Sequence, residues 1–350
     1  YDVYVRASRA DDPYPTPFQP DELRVLLSRP STFERWEAFA GRSDSGEVLA
    51  AGQVVLPLAD NIDKADVTVW VDPSHRRQGY GSELAGQLVD YATDSGRSTL
   101  LTSFSCPTGA DESHPSRAFA VKLGFTFANS EAHRILDLPV PEPRLDALLA
   151  SAAPYHNEYT LHDYVDDDIP AGLVPSFLDL VNALMIDAPT GAVEFEAGRL
   201  TETMFRANTE LMQAQGRTTH RTLAVDARGE AVAHTELVVG RNEPDKIFQW
   251  ATLVRRDHRG RRLGLATKTR NLKTVQARYP DRSVVHTWNS ESNRHMIAVN
   301  EAMGFRVVGA LAEYQRKSRP PGGGSTGRGS APYDTPTISA ARGAVGRMER

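Results

Sequence analysis

The chain has 350 residues, more than one ordinary hydrophobic core needs, so two domains are expected. Hydrophobic residues make up 40% and charged residues 24%, the balance of a globular chain and not of a membrane or disordered one. Its 45 acidic and 40 basic residues leave a net charge of −5, which argues against a nucleic-acid partner held by bulk charge.

No apolar run approaches the roughly 20 residues of a bilayer span, so no membrane association is expected. The run over 48–58 is broken by Gly52, Gln53 and Pro57. No secretory segment follows Tyr1 and Cys106 is the single cysteine, so a reducing, cytoplasmic setting is expected. The histidines show no metal-ligand spacing, so no metal is expected.

In chain order, residues 34–40 and 48–56 read as strands joined by the turn Ser43-Asp44-Ser45-Gly46. Alternating Val67, Val69 and Val71 mark a half-buried strand that ends at Asp72-Pro73. Arg76-Arg77-Gln78-Gly79-Tyr80-Gly81 follows, and then Leu84, Leu88 and Tyr91 at helical spacing. A strand over 98–103 leads to Leu123-Gly124-Phe125. Pro139, Pro141 and Pro143 stop regular structure, and 145–153 has the pattern of a short connecting helix. Helices are predicted over 175–185 and 200–213, then two strands, 219–225 and 230–239, about the turn Asp226-Ala227-Arg228-Gly229. A strand over 247–254 precedes Arg261-Arg262-Leu263-Gly264-Leu265-Ala266, and Leu265, Thr269 and Leu272 lie on one helix face. A strand over 283–287, a helix marked by Met296, Val299 and Met303, and Gly304-Phe305 complete the series. From Arg319 the sequence turns Gly/Ser/Pro-rich and reads as a flexible extension.

The second series repeats the first. Gly79 and Gly264 lie 185 positions apart, and Gly124 and Gly304 lie 180 apart. Two features recurring in order at nearly equal offsets point to duplication. The expected organisation is a domain over 1–140, a linker over 141–154, a domain over 155–317 and a tail over 318–350.

A strand, a glycine turn and a helix make an anion site for physical reasons. Glycine lets backbone approach the ligand, and the first amides of a helix have no intrahelical partner. Those amides and the helix dipole favour a phosphate. Neither the P-loop nor the dinucleotide-binding glycine spacing occurs in these turns. Arg255, Arg256, Arg259, Arg261, Arg262, Lys268, Arg270 and Lys273 crowd about the second turn, which favours a local anionic ligand over a plain solvated face.

On these residues the chain resembles the GNAT superfamily of acetyl-CoA-dependent N-acetyltransferases. Its phosphate-loop pattern is matched by Arg76, Gly79 and Gly81, and again by Arg261, Gly264 and Ala266. The resemblance implies an α/β fold of two tandem domains, each a mixed, bent sheet flanked by helices, whose fourth and fifth strands splay apart to admit coenzyme A. It implies that the backbone of Val69, Trp70 and Val71, and of Thr252, Leu253 and Val254, would pair with the pantetheine arm. Arg76, Arg77, Gln78, Gly79, Tyr80 and Gly81 would wrap the pyrophosphate, as would Arg261, Arg262, Leu263, Gly264, Leu265 and Ala266. The family's pantetheine-contacting asparagine falls on Asn293, with Asn289 beside it, and the tyrosine that often protonates the thiolate is replaced by Asn300. In the first half Ser113 and Ala120 stand at the corresponding places.

Direct acetyl transfer needs a neutral amine, a polarised carbonyl and a stabilised thiolate. Glu236 and His234 lie two apart on one strand and so share a face, which makes Glu236 the candidate base; a solvent-facing strand residue explains it as well. Tyr314, on the final predicted strand, is the candidate acid in place of Asn300, against an ordinary half-buried aromatic. His258 is expected to help position phosphate, and His286 and Trp288 to line the acceptor pocket or the core. Asp60, Asn61 and Asp63 form a polar loop able to touch substrate or to make a solvated turn. The function expected is acetyl transfer from acetyl-CoA to the primary amine of a small molecule, with catalysis in the second half. The alternative is a non-catalytic acyl-CoA-binding or sensing protein.

Overall fold

The computed structural model of the protein describes residues 1–109, 114–187, 192, 195–196 and 198–317. The expected tail over 318–350 and Ser113 lie outside the described residues. The chain divides into two compact units: 1–130 with 195–196 and 310–317, and 131–187 with 198–309. These differ from the expected segments 1–140 and 155–317 because two long strands are each divided between the units. Among the described residues no helix is long and apolar enough to cross a membrane.

The first unit opens with two helices, α1 (Asp2–Asp11) and α2 (Pro20–Ser28). Pro20 fits the first turn of α2, and Gln19 with Glu22 closes a capping box. A hairpin follows, β1 (Glu34–Arg42) and β2 (Val48–Pro57), then β3 (Lys64–Val71), α3 (Tyr80–Asp94), β4 (Thr99–Pro107) and α4 (Pro115–Lys122). The first residues of β5 (Thr126–Asp137) and the last of β11 (Arg306–Lys317) complete its sheet, in the order β1, β2, β3, β4, β11, β5. Its core sits between sheet and α3, where Val54, Val67, Leu84, Leu88 and Leu100 pack together. The alternation Val67, Val69, Val71 gives this face of β3, while Trp70 on the other face meets Tyr4 of α1 at 4.7 Å.

The second unit takes the rest of β5, then α5 (Glu142–Ala152), β6 (Thr160–Val165), α6 (Val174–Asp187) and α7 (Glu202–Ala214). Next come β7 (Arg217–Val225), β8 (Ala231–Gly240), β9 (Lys246–Val254), α8 (Leu263–Arg278), β10 (Val284–Ser290) and α9 (Arg294–Met303). Its strands lie in the order β5, β10, β9, β8, β7, β6. Leu237, Val239, Ile247, Leu272, Val275 and Val285 form the core under α8, and Phe177, Phe205 and Leu223 form another under α6 and α7.

In each unit the strands are mixed, and the parallel pair parts early. β3 runs parallel to β4 only where Lys64, Ala65 and Asp66 face Thr99, Leu100 and Leu101. β9 runs parallel to β10 only where Lys246, Ile247 and Phe248 face Val284, Val285 and His286. Beyond those pairs the strands separate, the splay that the resemblance implies, and each opens toward its glycine turn. The short connecting helix expected over 145–153 is α5, which packs on α8.

Candidate functional site

In the first unit the splay is a cleft. Thr68, Val69 and Trp70 line one side, Ser103, Phe104 and Ser105 the other, with Asp11 and Asp12 of α1 and Ser116 of α4. Val69 and Trp70, two of the residues expected to pair with the pantetheine arm, thus line this cleft. Val71 instead backs the turn, since its Cγ2 lies 3.0 Å from where a Cβ on Gly81 would be. The turn itself leaves β3 through a 3-10 turn over Pro73–His75, and Gly79 caps α3 at φ +99°. That left-handed conformation suits glycine, and Gly81 leaves backbone bare at the first turn of α3. Arg76 does not point its charge at this cradle. Its Nη1 and Nη2 donate to both carboxylate oxygens of Asp11 at 2.7 and 2.9 Å, and its Nε to the Val71 carbonyl at 3.3 Å.

The second turn has the same geometry, two residues earlier than the sequence reading placed it. A 3-10 turn spans Arg256–His258, and Arg259 follows at φ −67°, the value Arg76 also has. Arg259 Nε donates to the Val254 carbonyl at 3.1 Å, as Arg76 Nε does to Val71. Gly260 takes the left-handed place of Arg77, Arg262 that of Gly79, and Gly264 that of Gly81. The turn is thus Arg259 to Gly264. Leu265 lies within α8, and Ala266 is wholly buried there. Arg262 caps α8 at φ +52°, held by a hydrogen bond to the Ser151 carbonyl at 3.0 Å and by the Tyr155 ring at 4.3 Å.

The basic cluster around this turn is largely neutralised. Arg255 pairs with Glu230 and Asp257, Arg261 with Glu158, Arg270 with Asp163, and Lys273 with Glu142 and Asp146. Lys268 is 1% exposed beneath the Phe305 ring. His258 accepts or donates to Tyr159 Oη at 2.8 Å and meets Arg255 at 2.6 Å, so it braces the turn.

Beyond Phe248, the second unit carries a β-bulge that the first lacks. Thr235 faces Thr252 and Leu237 faces Gln249, which leaves Trp250 and Ala251 without register partners on β8. Such a bulge breaks pairing and re-aims backbone groups, here at the mouth of the splay. Gln249 is 2% exposed, and its Nε2 donates to the Glu236 carbonyl at 2.7 Å and the Trp250 carbonyl at 3.0 Å. Thr252 Oγ1 is bonded to Thr235 Oγ1 at 2.8 Å, and Leu253 is buried.

The three expected catalytic residues are not brought together. Glu236 is 1% exposed under α6 and α7, where its Oε1 accepts from Arg221 Nε at 2.7 Å. Arg221 in turn lies 5.3 Å from the Phe205 ring and 5.8 Å from that of Phe177. This is a buried ion pair, and nothing in it presents the carboxylate to an acceptor. His234 is fully buried beside it, and burial pushes its imidazole down to about 4, with Glu236 opposing and Arg221 assisting. Asn300 is likewise buried, its Nδ2 donating to Asn289 Oδ1 at 2.6 Å, and Asn293 caps α9 by accepting from the Met296 amide at 3.2 Å. Tyr314, expected beside the second splay, belongs to the first unit. It is 3% exposed there, stacked on Phe104 at 5.4 Å and edge-on to Phe127 at 5.7 Å. The reason is that β11 continues past the second unit, and its Ala312 and Tyr314 complete the first unit's core.

The remaining candidates are structural. Asn61 is 8% exposed and accepts at Oδ1 from the Glu196 amide at 2.8 Å, and Asp63 accepts from Lys64 at 2.8 Å. His286 is bonded to His133 at 3.0 Å, and Trp288 stacks on His133 at 4.4 Å. One group the sequence reading missed is His114, at the N-terminus of α4. It stacks on the cleft residue Phe104 at 5.6 Å, and its Nδ1 accepts from the Ser116 amide at 3.3 Å. Burial lowers its pKa, opposed by Asp11 and assisted by Arg76. Among the described residues no cluster of three or more metal-ligating side chains occurs.

In each unit the strands splay at their parallel pair and a left-handed turn leads into a helix, which together define a tandem acetyltransferase-like fold. Residues 6–125 match the model of the acetyltransferase (GNAT) family, and the chain has the fold of a tandem GNAT protein. A tandem GNAT protein from the clavulanic acid biosynthesis pathway is similar over 91% of this chain and 94% of its own, at 24% identity and a TM-score of 0.72. A GCN5-related N-acetyltransferase from Sphaerobacter thermophilus is similar over 91% of both chains, at 15% identity and a TM-score of 0.60. A glucosamine N-acetyltransferase region of a fungal multi-domain β-N-acetylglucosaminidase matches 90% of this chain at 14% identity and a TM-score of 0.60. No curated protein matches the sequence.

Proposed function

We propose that the protein transfers an acetyl group from acetyl-CoA to the primary amine of a small molecule, by direct attack in a ternary complex, and that the donor lies in the first unit's cleft. The observation that carries this reading is the cleft itself, between parted β3 and β4 and opening on the cradle of Gly79 and Gly81. Acetyl-CoA supplies a thioester; the amine nitrogen forms a bond to its carbonyl carbon, the carbon–sulfur bond breaks, and the amine loses a proton as the thiolate gains one. Asp12, on the cleft wall, offers a carboxylate to the incoming ammonium group. His114, accepting at Nδ1, carries a proton on Nε2 and can hydrogen-bond the leaving thiolate, which takes up the proton that the amine gives to solvent. The acceptor's identity, the catalytic role of these residues and the cytoplasmic setting belong to this proposal.

A non-catalytic acyl-CoA-binding role is the second reading. The buried ion pair of Glu236 and the bonded amide of Asn300 favour it for the second unit. Thiol release from acetyl-CoA across an amine panel separates the two. The expected result is turnover that His114→Ala lowers by roughly 10²-fold or more while calorimetric acetyl-CoA affinity stays within a few-fold. Tight acetyl-CoA binding without amine-dependent release would leave the binding role alone.

A further inference from the structure

The second unit contains a cavity of about 480 Å³ that the acetyl-transfer reading does not use. It lies at the far end of α8 from the glycine turn, because its wall includes Tyr279, the residue that ends this helix. With 16 residues at about 1.5 Å each, α8 separates cavity and turn by about 24 Å.

The lining is basic in a chain whose net charge is −5. Arg217, Arg241 and Arg282 face the cavity with Tyr279 and Gln213, against the single lining carboxylate of Asp166. That carboxylate is already engaged: its oxygens accept from the Thr219 amide at 2.8 Å and from Gln213 Nε2 at 3.1 Å. Glu243 is the other acid close by, buried against Gly240. Arg217 is 5% exposed and lies 6.0 Å from the Phe248 ring, so its position is fixed by packing. Arg282 is fixed as well, donating to the Pro244 and Gly240 carbonyls at 2.8 and 2.9 Å, while its buried Nε has no hydrogen-bond partner. A buried guanidinium N–H without a partner is costly, and an oxyanion would satisfy it. Neighbouring His220, bonded to Tyr279 Oη at 3.0 Å, is pushed down to about 4 by burial and by Arg278, with Asp166 opposing and Arg221 assisting.

We infer that this cavity binds a small oxyanion ligand, a polycarboxylate or a phosphate ester, at a site separate from the donor cleft. Its volume is in the range of small-molecule sites, and the guanidinium fork matches paired carboxylate or phosphate oxygens. The site stands whether or not the chain transfers acetyl groups.

The test is calorimetry of the full chain with citrate and with inorganic phosphate. At least one should bind, and preference for citrate identifies the polycarboxylate, preference for phosphate the ester. Arg241 is exposed, so Arg241→Ala should fold normally by circular dichroism and weaken binding about 10-fold or more. Arg282→Lys, which keeps charge but loses the fork, should weaken it by a smaller factor. A Gly79→Asp/Gly264→Asp double variant, altered only at the two turns, should bind the probe as the parent does. No binding of either probe, equal affinity in Arg241→Ala, or loss in the turn variant would each overturn the assignment.

Discussion

Glu236 illustrates what a residue's type and strand position leave open. Its neighbours two and four positions along β8 share its face, and that much follows from the pleat. What the face looks onto depends on α6 and α7, and on Arg221 of β7 directly opposite. The pairing makes a firm expectation about stability. In Glu236→Gln the guanidinium of Arg221 keeps its burial but loses its counter-ion, and removing one partner of a buried pair typically costs about 3–5 kcal/mol. The urea midpoint should fall well below that of the parent, and Arg221→Leu combined with Glu236→Leu should recover much of the loss. An unchanged midpoint with a large drop in turnover would instead return the carboxylate to the chemistry.

At the scale of the element, the two glycine turns differ in what each can tolerate. A Cβ at Gly81 would stand 3.0 Å from Val71 Cγ2, whereas one at Gly264 would meet nothing nearer than Val254 Cγ2 at 3.7 Å. Neither has a positive φ, and alanine gains up to about 1 kcal/mol over glycine in a helix. Gly264→Ala should therefore melt no lower than the parent, and Gly81→Ala should melt lower; equal losses in both would deny that the space beside the two glycines differs. Gly79 and Arg262 share the left-handed cap, which a non-glycine residue adopts at about 1–2 kcal/mol. The elements themselves were legible from period and punctuation: the predicted strand over 247–254 is Lys246–Val254, and the predicted helix over 200–213 is Glu202–Ala214. The register of the second turn was not, because Arg262 stands where the letter pattern asks for glycine, so the pattern is met only at Arg261, Gly264 and Ala266. Counting from the strand end, where His75-Arg76 corresponds to His258-Arg259, resolves it. Two further features had no local signal. The division of β11 between units is a long-range pairing, and the stacking of His114 on the cleft residue Phe104 is a contact that only the fold creates.

For the molecule as a whole, the buried histidines set a dependence of stability on pH. His220, His234 and His286 all lie in the second unit, at 4%, 0% and 1% exposure. Burial is the first cause in each case, and it holds His220 and His234 down to about 4 and His286 to about 3, from an ordinary 6.5. The folded state keeps these rings neutral, whereas the unfolded chain protonates them near pH 6.5. Their contribution is therefore complete above pH 6.5 and is lost as pH falls from there toward 4, at up to about 1.4 kcal/mol per pH unit for each ring. The acidic side of the ledger acts in a lower window. Hydrogen bonds from the side chain and amide of Ser74, and from Arg6, hold the Asp72 carboxyl far below its ordinary 3.8, so that contribution is lost only as pH drops through and below that value. Urea titrations at pH 7.5, 6.5, 5.5 and 4.5 should show a level midpoint above roughly pH 6.5 and a falling one below it. His234→Gln, which cannot titrate, should start from a lower midpoint and fall less steeply, by the share of one proton. A parent midpoint that stays level down to pH 4.5 would mean that these rings take up protons as readily in the folded chain as in the unfolded one, and that their burial is not what the packing around Phe177, Tyr279 and Trp288 makes it.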